Sequence, residues 1–180
     1  AIGTCVTNPV TRHLSVTANA FASVDHIAGG RTILGIGSGD TALYLLGKKY
    51  VNLAGMRETI KVLRALLDGE PVTFEGPELC STWRKPDLPI YLAADGPKML
   101  ALGGELADGL IVGAGLSSEV NDWVRARVGE GEAKAGREAG SVPIWVDGIV
   151  NFGPDREAVR DDTRPRICTR ANHNFRVAYN

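Results

Sequence analysis

Three clusters of small and polar residues each follow a short apolar run, and their types suit a ligand held largely by backbone. They are Thr7-Asn8-Pro9-Val10-Thr11-Arg12-His13, Gly35-Ile36-Gly37-Ser38-Gly39-Asp40 and Tyr91-Leu92-Ala93-Ala94-Asp95-Gly96-Pro97-Lys98. Glycine at a strand end lets backbone N–H groups approach a phosphate or a planar ring. The second cluster has the wrong third-glycine spacing for a dinucleotide fingerprint and lacks the Gly-Lys-Ser/Thr ending of a nucleoside triphosphate loop. A tight turn needing positive φ is the plainer reading of it. In the third cluster, Asp95-Gly96-Pro97-Lys98 opens a helix directly after a strand. Free amides, the helix dipole and Lys98 would make an anion site there; equally, Asp95 would cap an ordinary helix start and leave Lys98 in solvent.

Among other reactive side chains, His13 is the one candidate for acid or base catalysis, because its intrinsic pKa lies near neutrality. Beside Arg12 at a helix start, it equally suits a loop-orienting or surface role. His26 and His173 read as structural or exposed. Cys5 is a conceivable nucleophile with no base assigned to it by any signature, and its apolar neighbours favour inert packing. Cys5, Cys80 and Cys168 are odd in number and far apart, which predicts reduced thiols and neither a disulfide framework nor a metal site. Trp83, Trp123 and Trp145 are too dispersed for a nucleic-acid stacking platform.

Bulk properties narrow the partners. With 44% hydrophobic residues the 180-residue chain can build a core as one domain, and a net charge of −1 with pI near 6.4 provides no footprint for nucleic acid or an anionic membrane. No run reaches the ~20 apolar residues of a membrane span, and no basic stretch followed by an apolar run reads as a signal peptide. A cytoplasmic protein acting on a small-molecule substrate is expected.

The elements that must position the clusters alternate. Ile2 to Val6 reads as a buried strand stopped by Pro9. A helix from Arg12 to Ala28 carries apolar residues at three- and four-residue spacing and stops at Gly29-Gly30. Thr32 to Ile36 is the next strand, and Met56, Ile60, Leu63 and Leu67 make a helical stripe ending at Gly69. Pro71 to Gly76 reads as a strand of a small excursion. Strands at Ile90 to Ala93, Leu110 to Val112 and Pro143 to Phe152 alternate with helices at Pro97 to Ala107 and about Ser117 to Ala139. Gly153-Pro154-Asp155 opens a final helix. Five β-α repeats predict an α/β protein with a parallel sheet. Periodicity alone leaves a doubly wound sheet and a barrel both open, and five strands are too few to close a barrel of eight.

The order and spacing of Thr7-Asn8-Pro9, Thr11-Arg12-His13, Gly29-Gly30-Arg31, Gly35 to Asp40, Ala93 to Leu100 and Ala107-Asp108-Gly109 resemble the luciferase-like superfamily of flavin- and deazaflavin (F420)-dependent oxidoreductases. The resemblance is strongest to the methylenetetrahydromethanopterin reductase-like branch and runs from Thr4 to about Gly140. It implies a (β/α)8 TIM barrel of the bacterial luciferase-like type, here a partial barrel of about five units in a single domain over residues 1–180, corresponding to strands 3 to 7. The polar tail 161–180, with Arg164, Arg166, Arg170 and Arg176, does not resemble a closing strand.

By the same resemblance, Cys5-Val6 would form a bulge with a non-prolyl cis peptide beneath the cofactor ring, and Thr7 and Asn8 would touch the ring edge. Gly37, Ser38 and Gly39 would lie along the cofactor tail, and Gly96, Pro97 and Lys98 would hold its phosphate. Gly113 and Ala114 would line the same groove. The implied chemistry is hydride transfer between coenzyme F420 and a small organic substrate. Alternatives are an FMN-dependent monooxygenase component served by a flavin reductase, and a truncated, non-catalytic flavin-binding relative. No general acid is assigned. The two exposed sheet edges predict that the chain alone is unstable, associates with itself as a homo-oligomer such as a dimer, or is part of a larger protein.

Overall fold

Leu34 and Ile36, Ile90 and Leu92, and Leu110 and Val112 recur at every second position along three short runs and are all 2% exposed or less. A period of two places each pair on one face of a strand, and that face is covered by helices. The structure, a computed structural model, describes residues 1–179. The side chains of Thr41 and of residues 173–179, which include His173 and Arg176, lie outside the described residues.

Five strands form one wholly parallel sheet: β1 (Ile2–Gly3), β2 (Thr32–Ile36), β5 (Ile90–Ala93), β6 (Gly109–Val112) and β7 (Ile144–Val146), adjacent in that order. The register pairs Ile2 with Thr32, Leu34 with Ile90, Leu92 with Leu110 and Ile111 with Trp145. Between β2 and β5 the chain makes an antiparallel hairpin of its own, β3 (Val72–Thr73) and β4 (Glu78–Leu79). The helices are α1 (Leu14–Ala28), α2 (Thr41–Leu45), α3 (Leu53–Asp68), α4 (Pro97–Leu106), α5 (Ser118–Lys134) and α6 (Arg156–Tyr179). Consecutive parallel strands with helices on one side are the arrangement of a barrel arc, which resolves the sheet-or-barrel alternative.

Local chemistry explains the helix ends. Asn52 caps α3 by accepting from Gly55 N–H at 2.9 Å, and the left-handed Gly69 (φ 77°) ends it. The expected stripe of Met56, Ile60, Leu63 and Leu67 is buried along this helix. The first helix starts at Leu14 and not at Arg12, because His13 is extended (φ −59°, ψ 141°) and its ring accepts from Ser15 N–H. Helix α5 ends at Lys134, short of Ala139. Beyond it the buried Glu132 carboxylate accepts from Gly140 N–H at 2.9 Å and Val142 N–H at 2.8 Å, tying the connection into β7.

Two expected strands are shorter in the structure. The first pairs only over Ile2–Gly3 and again through a single bridge, in which Thr7 N–H donates to Gly35 O and Gly37 N–H donates to Thr7 O, both at 2.9 Å. Between these the Thr4 hydroxyl donates to Gly35 O at 2.7 Å, and the Cys5–Val6 peptide is cis, as the resemblance implied. Gly35 permits this approach, since a Cβ there would overlap the Thr4 carbonyl oxygen. The fifth expected strand, Pro143 to Phe152, is strand only at Ile144–Val146; the last ladder bond runs from Asp147 N–H to Val112 O. The short helix α2 carried no recognised signal, and the tail from residue 161 is helical in continuation of α6.

Electrostatic ties hold the helices together. Glu105 on α4 takes a bidentate Arg57 from α3 at 2.5 and 2.7 Å and Lys134 from α5 at 2.9 Å. The Arg57 hydrogen bond outweighs desolvation and, with Lys134, lowers the Glu105 carboxyl to about 2. Asp25 is buried at the end of α1, accepting from Thr32 N–H at 2.9 Å and pairing with Lys85 at 2.9 Å. Burial opposes its ionisation, but these partners prevail and its carboxyl titrates below the ordinary range.

Candidate functional site

Parallel strands all point their C-terminal ends to one side, so the segments after β2, β5 and β6 open onto a common rim. There they line a cleft of about 310 Å³. Its floor is built from Cys5 and Val6, the loop Gly37 to Asp40, the β5 end Ala93 to Gly96 with Met99, and Ile111 with Gly113. Asp147 after β7 and Arg170 of α6 close one side.

Small residues create the opening. A Cβ on Gly37 would sit 3.2 Å from the Val6 side chain and 3.4 Å from Ala93 Cβ. Gly39 has φ of 97°, and a Cβ on it would overlap the buried Leu43 of α2. Val51 N–H donates to Ser38 O at 3.0 Å, fastening the far end of the segment that contains α2 to the same loop. A floor of this kind presents backbone and leaves space for a planar ring. The residues present therefore fit a flavin or deazaflavin.

The third cluster departs from both simple readings of a helix start. Gly96, not Asp95, is the N-cap of α4, and it makes no side-chain cap bond. Asp95 instead accepts from Gly113 N–H across the strand ends at 2.7 Å. The first-turn amides of α4 are thus left without a side-chain cap, next to the cleft, and Gly96 is buried in the lining. Lys98 is exposed and is not part of that lining, nor is Pro97.

Of the twelve residues implied as cofactor contacts, Cys5, Val6, Gly37, Ser38, Gly39, Gly96 and Gly113 converge on the cleft, whereas Thr7, Asn8, Pro97, Lys98 and Ala114 lie outside its lining. Thr7 is used by the bridge to β2, and Asn8 Oδ1 accepts from Val10 and Thr11 N–H, both at 3.0 Å, to shape the loop into α1. His13 lies outside as well, with its ring 5.5 Å from Phe74 and Nε2 3.8 Å from Glu75 of the hairpin. Sequence reading missed Asp147 and Arg170. Among the described residues no His/Cys/Asp/Glu group could hold a metal ion, and no helix is long and apolar enough to cross a membrane.

Comparison with known proteins agrees with this fold. A 5,10-methylenetetrahydromethanopterin reductase of Methanolobus tindarius is 35% identical over 173 residues, covering 92% of this chain and 52% of the relative. An F420-dependent glucose-6-phosphate dehydrogenase of Nakamurella multipartita is 32% identical over 176 residues, covering 91% of this chain and 52% of the relative. The solved coenzyme F420-dependent tetrahydromethanopterin reductase of Methanopyrus kandleri superposes with a TM-score of 0.78 at 28% identity, over 92% of this chain and 54% of that one. The chain thus spans about half the length of the relatives it matches, and its five strands are an arc of their barrel. A family model described as luciferase-like monooxygenase matches residues 1–178, and the chain belongs to that luciferase-like family.

Proposed function

We propose that this chain is the cofactor-binding arc of an F420-dependent oxidoreductase that transfers hydride between coenzyme F420 and a small organic substrate. The observation that carries the reading is the convergence of Gly37-Ser38-Gly39, Ala93 to Gly96 and Gly113 with Cys5 and Val6 on one cleft. The F420-dependent relatives support the choice of cofactor. When bound, the deazaflavin ring supplies the two-electron carrier. This chain's residues provide position and a polar frame: backbone at Gly37 to Gly39 for the ring's tail, and the uncapped amides of α4 for an anionic group.

A second reading, an FMN-dependent monooxygenase component fed by a flavin reductase, is favoured by the description of the matching family. A non-catalytic flavin-binding relative would keep the same cleft without turnover. Equilibrium titration of the chain with F420 and with FMN, followed by ring fluorescence, separates them. Tighter binding of F420 is expected, and Gly96→Glu should abolish it by placing bulk and negative charge in the lining. Preference for FMN would move the assignment to the monooxygenase branch, and binding of neither would reject the chain as a cofactor-binding unit.

The two terminal strands of the sheet, β1 and β7, each have one neighbour. Unpaired edges and Trp145 and Val146, 47% and 41% exposed, support self-association into a dimer or higher oligomer. Sedimentation velocity over a concentration series should show association; a monodisperse monomer would remove the proposal.

A further inference from the structure

The resemblance put Lys98 at the cofactor's phosphate, yet Lys98 is exposed and outside the cleft lining. Among the described residues, Arg170 is the single cationic side chain in that lining, carried there by α6. Arg160 and Arg164, earlier on the same helix, pair with Glu157 and Asp161 one turn away. Arg170 instead reaches across to the strand ends, where its Nε donates to Gly113 O at 2.9 Å. A Cβ at position 113 would overlap the guanidinium, so a larger residue there would displace the Arg170 head from this seat. The Gly113 carbonyl and the space left by its missing side chain together seat the guanidinium at the strand ends.

What remains of the guanidinium is held loosely. Its Nη2 lies 3.7 Å from Asp95 Oδ2 and 3.6 Å from Asp147 Oδ2, both longer than hydrogen bonds. Asp95 is mostly buried and already accepts from Gly113 N–H, whereas the Asp147 side chain is 58% exposed and free to rehydrate. A guanidinium offers a rigid fork of donors matched to two oxygens of a phosphate. Contacts at about 2.8 Å would outcompete a loose carboxylate. Asp95 also immediately precedes Gly96, so the Arg170 head lies close to the uncapped start of α4.

Resting on the preceding functional reading, we propose that Arg170 is the anion-recognition residue of the cleft, taking the phosphate of the ring cofactor and exchanging Asp147 for it. Asp147 then acts as a competitor that occupies the guanidinium until the anion arrives.

The test offers each ring with and without its phosphate: F420 against its phosphate-free riboside, and FMN against riboflavin. For whichever ring the unaltered chain binds, the phosphate should confer at least about a tenfold advantage in Kd. In Arg170→Gln that advantage should fall below about threefold while the affinity for the riboside is unchanged. Arg170→Lys should recover part of it as a point charge, and Asp147→Asn should tighten the phosphorylated form a few-fold. Equal losses for both forms in Arg170→Gln, or no loss for either, would overturn the role of Arg170 and leave the cofactor reading intact. Failure of the unaltered chain to bind any of the four would overturn both.

Discussion

The two faces of the sheet are built differently. The helix-backed face is filled with large aliphatic side chains, of which Leu34, Leu92 and Leu110 are fully buried and packed with Leu63, Leu100 and Val128 from the helices. On the opposite face the same strands carry Gly35, Tyr91, Gly109, Ile111 and Trp145. Tyr91 lies where a Cβ on Gly109 would be and meets Trp145 at a ring-centroid distance of 4.7 Å. Burial raises the Tyr91 phenol pKa, and nearby Asp108 adds to the effect. One face is a finished core; the other is an interior wall with a half-exposed indole. Stability should therefore reside with the helices, leaving the open face and rim for ligands and further chain.

The largest effect should come from Leu92→Ala, which removes a fully buried side chain from the finished face. About 3 kcal/mol of unfolding free energy should be lost in a urea titration. A loss well under 1 kcal/mol would mean that this face is not the stabilising one.

Next in size is the tie between the helices behind that face. Because the folded Glu105 carboxyl lies at about 2, below its ordinary 4.5, its contribution is present above pH 4.5 and disappears as pH falls toward 2. Discounted for the 63% exposure of the Lys134 side chain, it amounts to roughly 2 kcal/mol. The stability difference between the unaltered chain and Glu105→Gln should shrink across that window. A difference independent of pH would place the effect elsewhere.

The smallest effect is expected on the open face. Trp145→Ala removes one aromatic partner of Tyr91 and should cost about 1 kcal/mol. A cost equal to that of Leu92→Ala would break the contrast between the two faces.

Periodicity made the finished face legible. The stripe of Met56, Ile60, Leu63 and Leu67 and the short runs around Leu34, Leu92 and Leu110 each announce a buried side within a few residues. The rim was legible where a glycine cluster directly follows a strand, as at Gly37 to Gly39. It was not legible where the partner is remote: Arg170 meets Gly113 across 57 positions of the chain, and its helix has no apolar stripe to reveal which side chain turns inward. Asp95 deceived for a related reason. Its position before Gly96-Pro97 suits a cap, but the Gly113 amide it actually binds comes from the next strand. Helix α2 stayed hidden because it is five residues long and leaves Tyr44 and Leu45 exposed.

The strand order β1-β2-β5-β6-β7 also bears on how the chain folds. Apart from the two strands of the separate hairpin, every strand pairs with the one next to it along the chain. Each new strand and its helix can therefore add to an edge that already exists, and no strand has to be inserted between two earlier ones; the slowest closure should be that of β5 on β2, where Leu34 waits for Ile90 across the hairpin excursion. During synthesis the arc can assemble in the direction of translation, each completed unit shielding the apolar face of the one before.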